Sequence, residues 1–479
     1  MEVGEGVKVT PLRFIFAKKL GPDGVVQRFK ARLIFQHKDD GDEEFEDCYA
    51  PVVDKVSLRI FIAVVAQKGW YLEQSDVKTA FLNAENEGED FVTLLACVVG
   101  KGESPVRKLQ KALYGLRRAP KAWNTTFTEW AVQQGFRPLD AEPCIFVHEQ
   151  KGVMLAVYVD DLLVAAESQW DLEKVQRSMG ARFKTRDMGI PTYFLGMNVK
   201  FDRNMQWVHL SQETYIGALM EKYEEHVGNP RSLPMIAGTR LDKEQGVLRP
   251  TVKPYASLVG ALLFLSVCTR PDISFTVGLL TKFLSCPAEE HWVVAVNLLA
   301  YLGATSTKGI LLGDVQLGAR AGLVGYADAD WANDKDDRKS VTGGAVFFGG
   351  NLITWFSRKQ QMVSTSTAEA EIHAIMEVSN AVRVARGVLG EILREVFGEE
   401  VDMPVIYSDN QPGLDAVKAK RARTKHYDVK IKFIAQGIEN GDFDLRKVAT
   451  SVNVADVFTK ALRATRFQAL TRCFLKQVA

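Results

Sequence analysis

Residues 153–166 read VMLAVYVDDLLVAA, two apolar runs that meet at Asp160-Asp161. That pattern predicts a β-hairpin with two carboxylates at its turn. An ionised carboxylate flanked by Val and Leu is costly to bury unless a cation neutralises it, so the pair points to a hard metal such as Mg²⁺. The plainer reading is a polar turn, because Asp is a common turn residue. Asp76, in YLEQSDVKTAFL at 71–82, has a similar strand context. Two metals held by such acids would activate a 3′-hydroxyl and stabilise the leaving oxygens of a phosphoryl transfer.

Outward from the hairpin, loop composition at 227–254 and repeated glycines at 309–322 cut the chain near residues 230 and 320. The middle segment reads as helices: LVGALLFLSV, a break at Arg270-Pro271-Asp272, ISFTVGLLTKFL, a break at Pro287, then HWVVAVNLLAYLG. The last segment opens with strands at Leu323 to Ala327, Ala345 to Phe348 and Leu352 to Ser357, with Gly349-Gly350 as a hairpin turn. A long helix over Thr367 to Leu393 and a strand at Val405 to Ser408 follow, which makes this an α/β domain. Four acids fall on different elements of it. Asp328 ends LVGYAD, Glu371 sits on the long helix, Asp409 ends VIYSD, and Asp456 begins a helix after SVNVAD. Acids so placed can converge at one sheet edge, as a two-metal nuclease requires. Asp328 and Asp456 read equally as turn or cap residues, and spacing alone does not decide between these readings.

Composition narrows the class. With 47% hydrophobic and 25% charged residues the chain is neither disordered nor collagenous. Its six cysteines form no C-x-x-C pair, against a zinc ribbon or disulfide scaffold and in favour of a reducing compartment. The most apolar stretches, Tyr255 to Cys268 and His291 to Ala304, fall short of the roughly 20 residues of a membrane span. MEVGEGVKVT at 1–10 is not expected to act as a secretory signal. The formal charge of +1 hides two basic stretches, Lys101 to Trp123 and Lys418 to Lys432, each with seven Lys/Arg against one acid. Such density suits backbone phosphates, and Tyr114, Trp123 and Phe127 would stack on bases. A solvated helix face is the alternative. The acidic run Asp39 to Asp47 has no evident partner.

Taken in order, these residues resemble the reverse transcriptase and ribonuclease H portion of copia-type LTR retrotransposon Pol polyproteins. FKARL (29–33) and YAPVV (49–53) are similar to that family's fingers; DVKTAFLN (76–83), LYGLRRAPKAW (113–123) and YVDD (158–161) to its palm. FLG (194–196), LSQETYI (210–216) and TRPDI (269–273) follow. YADADWA (326–332), TGG (342–344), WFSRKQ (355–360), STAEAE (366–371), SDNQ (408–411), RTKHYD (423–428) and ADVFTKAL (455–462) resemble its ribonuclease H part.

The resemblance implies an α+β right-hand polymerase with palm and fingers (1–230), a mainly helical thumb or connection (231–320), and an α/β RNase H-like domain (321–479). It implies Asp76, Asp160 and Asp161 as polymerase metal carboxylates, with Asp160 the more direct ligand of its pair. Arg32 is expected near the triphosphate, Phe81 against the ribose 2′ position, and Tyr114 and Gly115 where backbone approaches the nucleotide. Asp328, Glu371, Asp409 and Asp456 match the nuclease metal set, Glu371 being preferred to Glu369 by its E-x-x-A pattern; the role of His426 is open. Expected cofactors are Mg²⁺ pairs in both centres, with Mn²⁺ as substitute. Expected partners are an RNA template, a DNA primer, RNA/DNA hybrid and deoxynucleoside triphosphates, with no membrane, and the expected location is cytoplasmic particles. The chain departs from the family pattern after Asn83, at Arg118 and in the acidic 36–53 stretch. Those departures motivate two alternatives, an inactive nucleic-acid-binding remnant or a nuclease alone.

Overall fold

The computed structural model describes residues 8–20, 26–36, 48–101, 103–148, 152–313, 322–420 and 425–478. The run Asp39 to Asp47 lies outside them, as does the side chain of His426. Compactness gives two units, the described parts of 1–53 with 73–189, and those of 54–72 with 190–479. The excursion at 54–72 is helix α1 (Lys55–Gln67), started by the Asp54 carboxylate, which accepts the Val56 N–H at 2.7 Å.

In chain order the first unit holds strands β1 (Val9–Leu20), β2 (Val26–Phe35), β3 (Tyr71–Val77), β4 (Phe91–Thr93), β5 (Val106–Lys108), β6 (Phe136–Pro138), β7 (Ile145–His148), β8 (Val153–Tyr158), β9 (Asp161–Ala166) and β10 (Thr185–Gly189). They make a four-stranded sheet, β2-β1-β4-β5, and a six-stranded sheet, β10-β3-β9-β8-β7-β6. The expected hairpin is present, with Val153 opposite Ala166 and Tyr158 opposite Asp161. Helices α2 (Ala119–Gln133) and α3 (Gln169–Arg182) also belong to this unit. Trp123, Phe127 and Trp130 of α2 pack with Phe146 and Phe183 in one aromatic cluster, ring centroids 5.2–6.0 Å apart. Burying each such ring stabilises by roughly 1.5–3 kcal/mol. Trp123 and Phe127 are therefore core residues, which corrects their expected stacking on bases.

The second unit contains the sheet β11 (Tyr193–Phe194), β12 (Met197–Asp202), β13 (Trp207–Ser211), β14 (Gly309–Leu312) and β20 (Leu475–Lys476), in that order. Strand β14 occupies the glycine-bearing stretch read as a connector, because its alternate residues Ile310 and Leu312 are buried. Helices α4 (Glu213–Lys222), α5 (Lys243–Leu248), α6 (Tyr255–Cys268), α7 (Ser274–Thr281) and α8 (Glu289–Ala304) include the three expected in the middle segment. Arg59 of α1 donates to the Val267 and Cys268 carbonyls at 2.6 and 2.9 Å, and lies 4.1 Å over the Trp355 ring. Trp355 in turn donates to the Ser266 carbonyl at 2.7 Å, so the orphan carbonyls ending α6 are satisfied by side chains distant in sequence. None of the helices among the described residues is long and apolar enough to cross a membrane.

Strands β15 (Gly322–Asp330), β16 (Val341–Phe348) and β17 (Asn351–Lys359) form an antiparallel meander, and β18 (Asp402–Ser408) and β19 (Asp444–Lys447) extend it in parallel. The order is β17-β16-β15-β18-β19. The turn Gly349-Gly350 has φ of +53° and +83°, which glycine adopts without steric cost. Helix α9 (Thr367–Ile392) buries Ile372, Ile375, Val378, Val382, Ala385 and Leu389, the 3.6-residue period of one face. Helices α10 (Gln411–Ala419), α11 (Lys425–Glu439) and α12 (Ala464–Thr471) complete the unit.

Candidate catalytic centres

In the six-stranded sheet β3 and β9 are neighbours, which brings Asp76 beside the hairpin turn. The Val77 N–H donates to the Asp160 carbonyl at 2.8 Å. Trp123 Nε1 donates to the Val159 carbonyl at 2.7 Å. Val159 itself has φ +56°, a left-handed conformation that costs a β-branched residue energy and persists only where neighbours enforce it.

Tyr114 marks where the predicted residues meet. Its phenol is held above its ordinary pKa by burial first, then by the Asp160 charge and more weakly by Asp76; Arg32 opposes them. The Arg32 guanidinium lies 5.5 Å from the Tyr114 ring centroid, and the Phe81 ring lies 4.7 Å from it. Asp76, Asp160, Arg32, Phe81 and Tyr114 thus converge. At Gly115, with φ +96°, a Cβ would fall 2.2 Å from the Phe35 carbonyl, so glycine is needed there to admit the backbone of β2. Asp161 accepts from Gln74 Nε2 at 3.3 Å. Among the described residues, Asp76, Asp160 and Asp161 do not gather into a trio of ligand oxygens within 4.8 Å. Neighbouring residues at the start of a strand diverge, and Asp161 is engaged elsewhere.

The departures from the family pattern meet one another. Arg118 ion-pairs with Asp90 and reaches Asn86 Oδ1 at 3.4 Å, so the altered residue holds the altered stretch. Arg107, Lys108 and Lys111 pair with Glu103, Glu89 and Glu85 at 2.9, 3.0 and 3.6 Å. Four of the seven cations in the first basic stretch are thereby matched to acids, which weakens its expected role as a phosphate track.

The second centre is tighter. Asp328 on β15, Glu371 on α9 and Asp409 just after β18 each present a carboxylate oxygen, all within 4.8 Å of one another. Asp328 is 3% exposed and Glu371 7%. Burial, then the charges of Asp328 and Asp409, push Glu371 up to about 9. Burial likewise pushes Asp328 up to about 6, with Lys460 working against it. Glu371 Oε2 is buried with no hydrogen-bond donor. Three oxygen donors, two of them on buried residues and one of those orphaned, fit a hard divalent cation. Glu369 is different: it accepts the Thr365 N–H and hydroxyl at 2.7 and 2.8 Å at the start of α9.

Asp456, fully buried on a 3₁₀ turn over Val454–Phe458, stands apart from the trio. Lys460 Nζ lies 2.7 Å from its Oδ1, and Arg466 donates to its Oδ2. Asn453 ties the region together, donating to the Ala327 carbonyl at 3.1 Å and to Asp409 Oδ1 at 3.4 Å. The Thr459 hydroxyl donates to Asp328 Oδ2. Sequence reasoning passed over Asn453, Thr459, Lys460 and Arg466. A signal existed, since Thr459 and Lys460 follow Asp456 by three and four residues, the spacing of neighbours on a helix.

These shifts set a pH dependence. Both carboxyls bind protons more tightly folded than unfolded, so without divalent cations stability falls as pH rises from about 4 to about 9. We expect melting with EDTA to show that loss, on the order of 5 kcal/mol between pH 5 and pH 8. Added Mg²⁺ should raise the melting temperature more at pH 8 than at pH 5. An equal rise at both would refute the coupling.

The family described as reverse transcriptase (RNA-dependent DNA polymerase) matches residues 1–237. The putative transposon Ty5-1 protein of Saccharomyces cerevisiae is 30% identical over 300 residues, 62% of this chain and 96% of that protein. The chain belongs to the reverse transcriptase family of retrotransposon Pol proteins. Its likeness to longer family members spans nearly all of its length. The Retrovirus-related Pol polyprotein from transposon TNT 1-94 of Nicotiana tabacum is 32% identical over 98% of this chain and 36% of its own length. The Pol polyprotein from transposon RE1 of Arabidopsis thaliana is 33% identical over 96% and 31%. The chain therefore spans about a third of those two relatives. Among solved structures, the foamy viral protease-reverse transcriptase dRH in complex with double-stranded DNA superposes with a TM-score of 0.53. It covers 93% of this chain and 66% of that one at 14% identity, which establishes the fold of this reverse transcriptase relative.

Proposed function

We propose that the chain is an RNA-directed DNA polymerase carrying a ribonuclease H that cleaves the RNA strand of RNA/DNA hybrids. The observation that carries this reading is the trio Asp328, Glu371 and Asp409, its first two members buried, at the end of a five-stranded sheet in a chain of the reverse transcriptase family. In the proposal 1–230 supplies fingers and palm, 231–320 the connection, and 321–479 the nuclease. Asp76 and Asp160 would hold Mg²⁺ or Mn²⁺ in the polymerase, and Asp328, Glu371 and Asp409 in the nuclease. When bound, such cations stabilise charge developing on phosphate oxygens.

The chain's own residues do the rest. The Arg32 guanidinium forks onto triphosphate oxygens of the incoming deoxynucleotide. Phe81 and Tyr114, ring to ring at 4.7 Å, form an apolar wall against the sugar. A cavity of about 590 Å³ is lined by Arg240, Lys335, Arg338 and Lys460, with Lys282 and Lys359 paired to Asp334, a wall whose first four cations suit the phosphates of a bound hybrid.

The nuclease-only alternative is favoured by one observation, that the polymerase acids do not form a comparable trio. Two assays on one preparation separate the readings. Primer extension on a poly-rA template with Mg²⁺ should incorporate dTTP, and a labelled RNA/DNA hybrid should lose its RNA strand. Cleavage without incorporation by folded protein leaves the nuclease alone, and failure of both leaves a binding remnant.

A further inference from the structure

The four acids matched to the nuclease are not equivalent. Asp328, Glu371 and Asp409 offer oxygens to a common point, whereas both oxygens of Asp456 face cations of the chain itself. Lys460 Nζ stands 2.7 Å from Asp456 Oδ1 and 3.6 Å from Asp328 Oδ2, bridging the two carboxylates. At 2.7 Å the Lys460 ammonium and the Asp456 carboxylate form a direct ion pair. Arg466 of α12 takes Asp456 Oδ2 and is itself fixed on the Thr450 carbonyl at 2.7 Å. Asp330 accepts from the Asn333 amide, and its charge also acts on Lys460.

We infer that Lys460, with Arg466 behind it, supplies the second positive charge of the nuclease centre, so that the centre holds one divalent cation on Asp328, Glu371 and Asp409 rather than a pair. This rests on the nuclease reading above. With Asp330, whose charge also acts on Lys460, five carboxylates against two fixed cations leave three negative charges, of which one divalent ion offsets two. A second divalent ion between Asp328 and Asp456 would have to displace an ammonium already 2.7 Å from the carboxylate. The Lys460 side chain is 36% exposed, so it reaches this position from the rim and can be shortened without opening the core.

Mn²⁺ binding followed by electron paramagnetic resonance tests this on the full chain, with Asp76→Asn and Asp160→Asn included to silence the polymerase acids. We expect one tight Mn²⁺ in that background, lost in Glu371→Gln. Lys460→Met should gain a second Mn²⁺ with the dipolar broadening of a close pair, while Lys460→Arg, which keeps the charge, should stay at one. Two equivalent Mn²⁺ ions before Lys460 is changed, or no gain in Lys460→Met, overturns the inference while leaving the nuclease reading intact. If Glu371→Gln loses no Mn²⁺, the metal centre itself falls and this inference with it.

Discussion

Asp160→Asn is expected to lower primer extension by about 10²- to 10³-fold while leaving hybrid cleavage within about twofold of wild type. The substitution keeps the shape of the side chain and removes only its charge. The hairpin turn that carries it is held through main-chain groups, the Val77 N–H on the Asp160 carbonyl and Trp123 on the Val159 carbonyl, so the turn survives. Asp160 belongs to one compact unit, and Asp328, Glu371 and Asp409 to the other. Glu371→Gln should give the mirror image, loss of cleavage with extension preserved. It should also flatten the pH dependence of metal-free stability, because an amide does not ionise. Both activities should be read on the same preparations, with far-ultraviolet circular dichroism to certify the fold. Loss of both activities in a folded Asp160→Asn protein would refute two independent centres.

Much of this site could be read from sequence because its acids lie where local pattern is strong. The apolar runs around Asp160 and Asp161 forced a hairpin, and LVGYAD and VIYSD forced strands, although β15 continues past Asp328 to Asp330 and Asp409 lies just beyond β18. What stayed hidden was pairing at long range. The basic composition of 101–123 gave no hint that Glu85, Glu89 and Asp90 cross to meet it on the neighbouring strands. Nor does an aromatic in a basic stretch declare its side: Trp123 and Phe127 lie on the buried face of α2, whereas Tyr114 is half exposed. Gly115 shows the same limit, since its need for glycine arises from Phe35, eighty positions earlier. The sequence also placed 54–72 with its neighbours, but Arg59 draws α1 to Val267, Cys268 and Trp355 in the other unit.

TRPDI at 269–273 read as a break between helices and a family signature, and the structure gives it a physical reason. Arg270 is fully buried, and its Nε and Nη2 fork onto the two oxygens of Asp272 at 3.0 and 2.9 Å. Its remaining donors reach the Thr305 carbonyl at 3.1 Å and hydroxyl at 2.7 Å, while Tyr301 donates to Asp272 at 2.7 Å. Burial pulls the guanidinium pKa down, but the Asp272 contact outweighs it and holds the pKa above the usual value. Every charge in this knot has a partner, so removing one member leaves the other uncompensated in the core. Arg270→Ala should destabilise the second unit by about 3–5 kcal/mol, enough to unfold much of the protein at 37 °C. Asp272→Asn in wild type should also be costly, because a buried guanidinium is left without its counter-charge. The double variant Arg270→Met, Asp272→Leu should lose less than the two single losses combined, since no unpaired charge remains. Urea unfolding followed by tryptophan fluorescence measures all four proteins. Additive losses would show that Arg270 and Asp272 act through packing alone, and that the signature is not an ion pair the fold depends on.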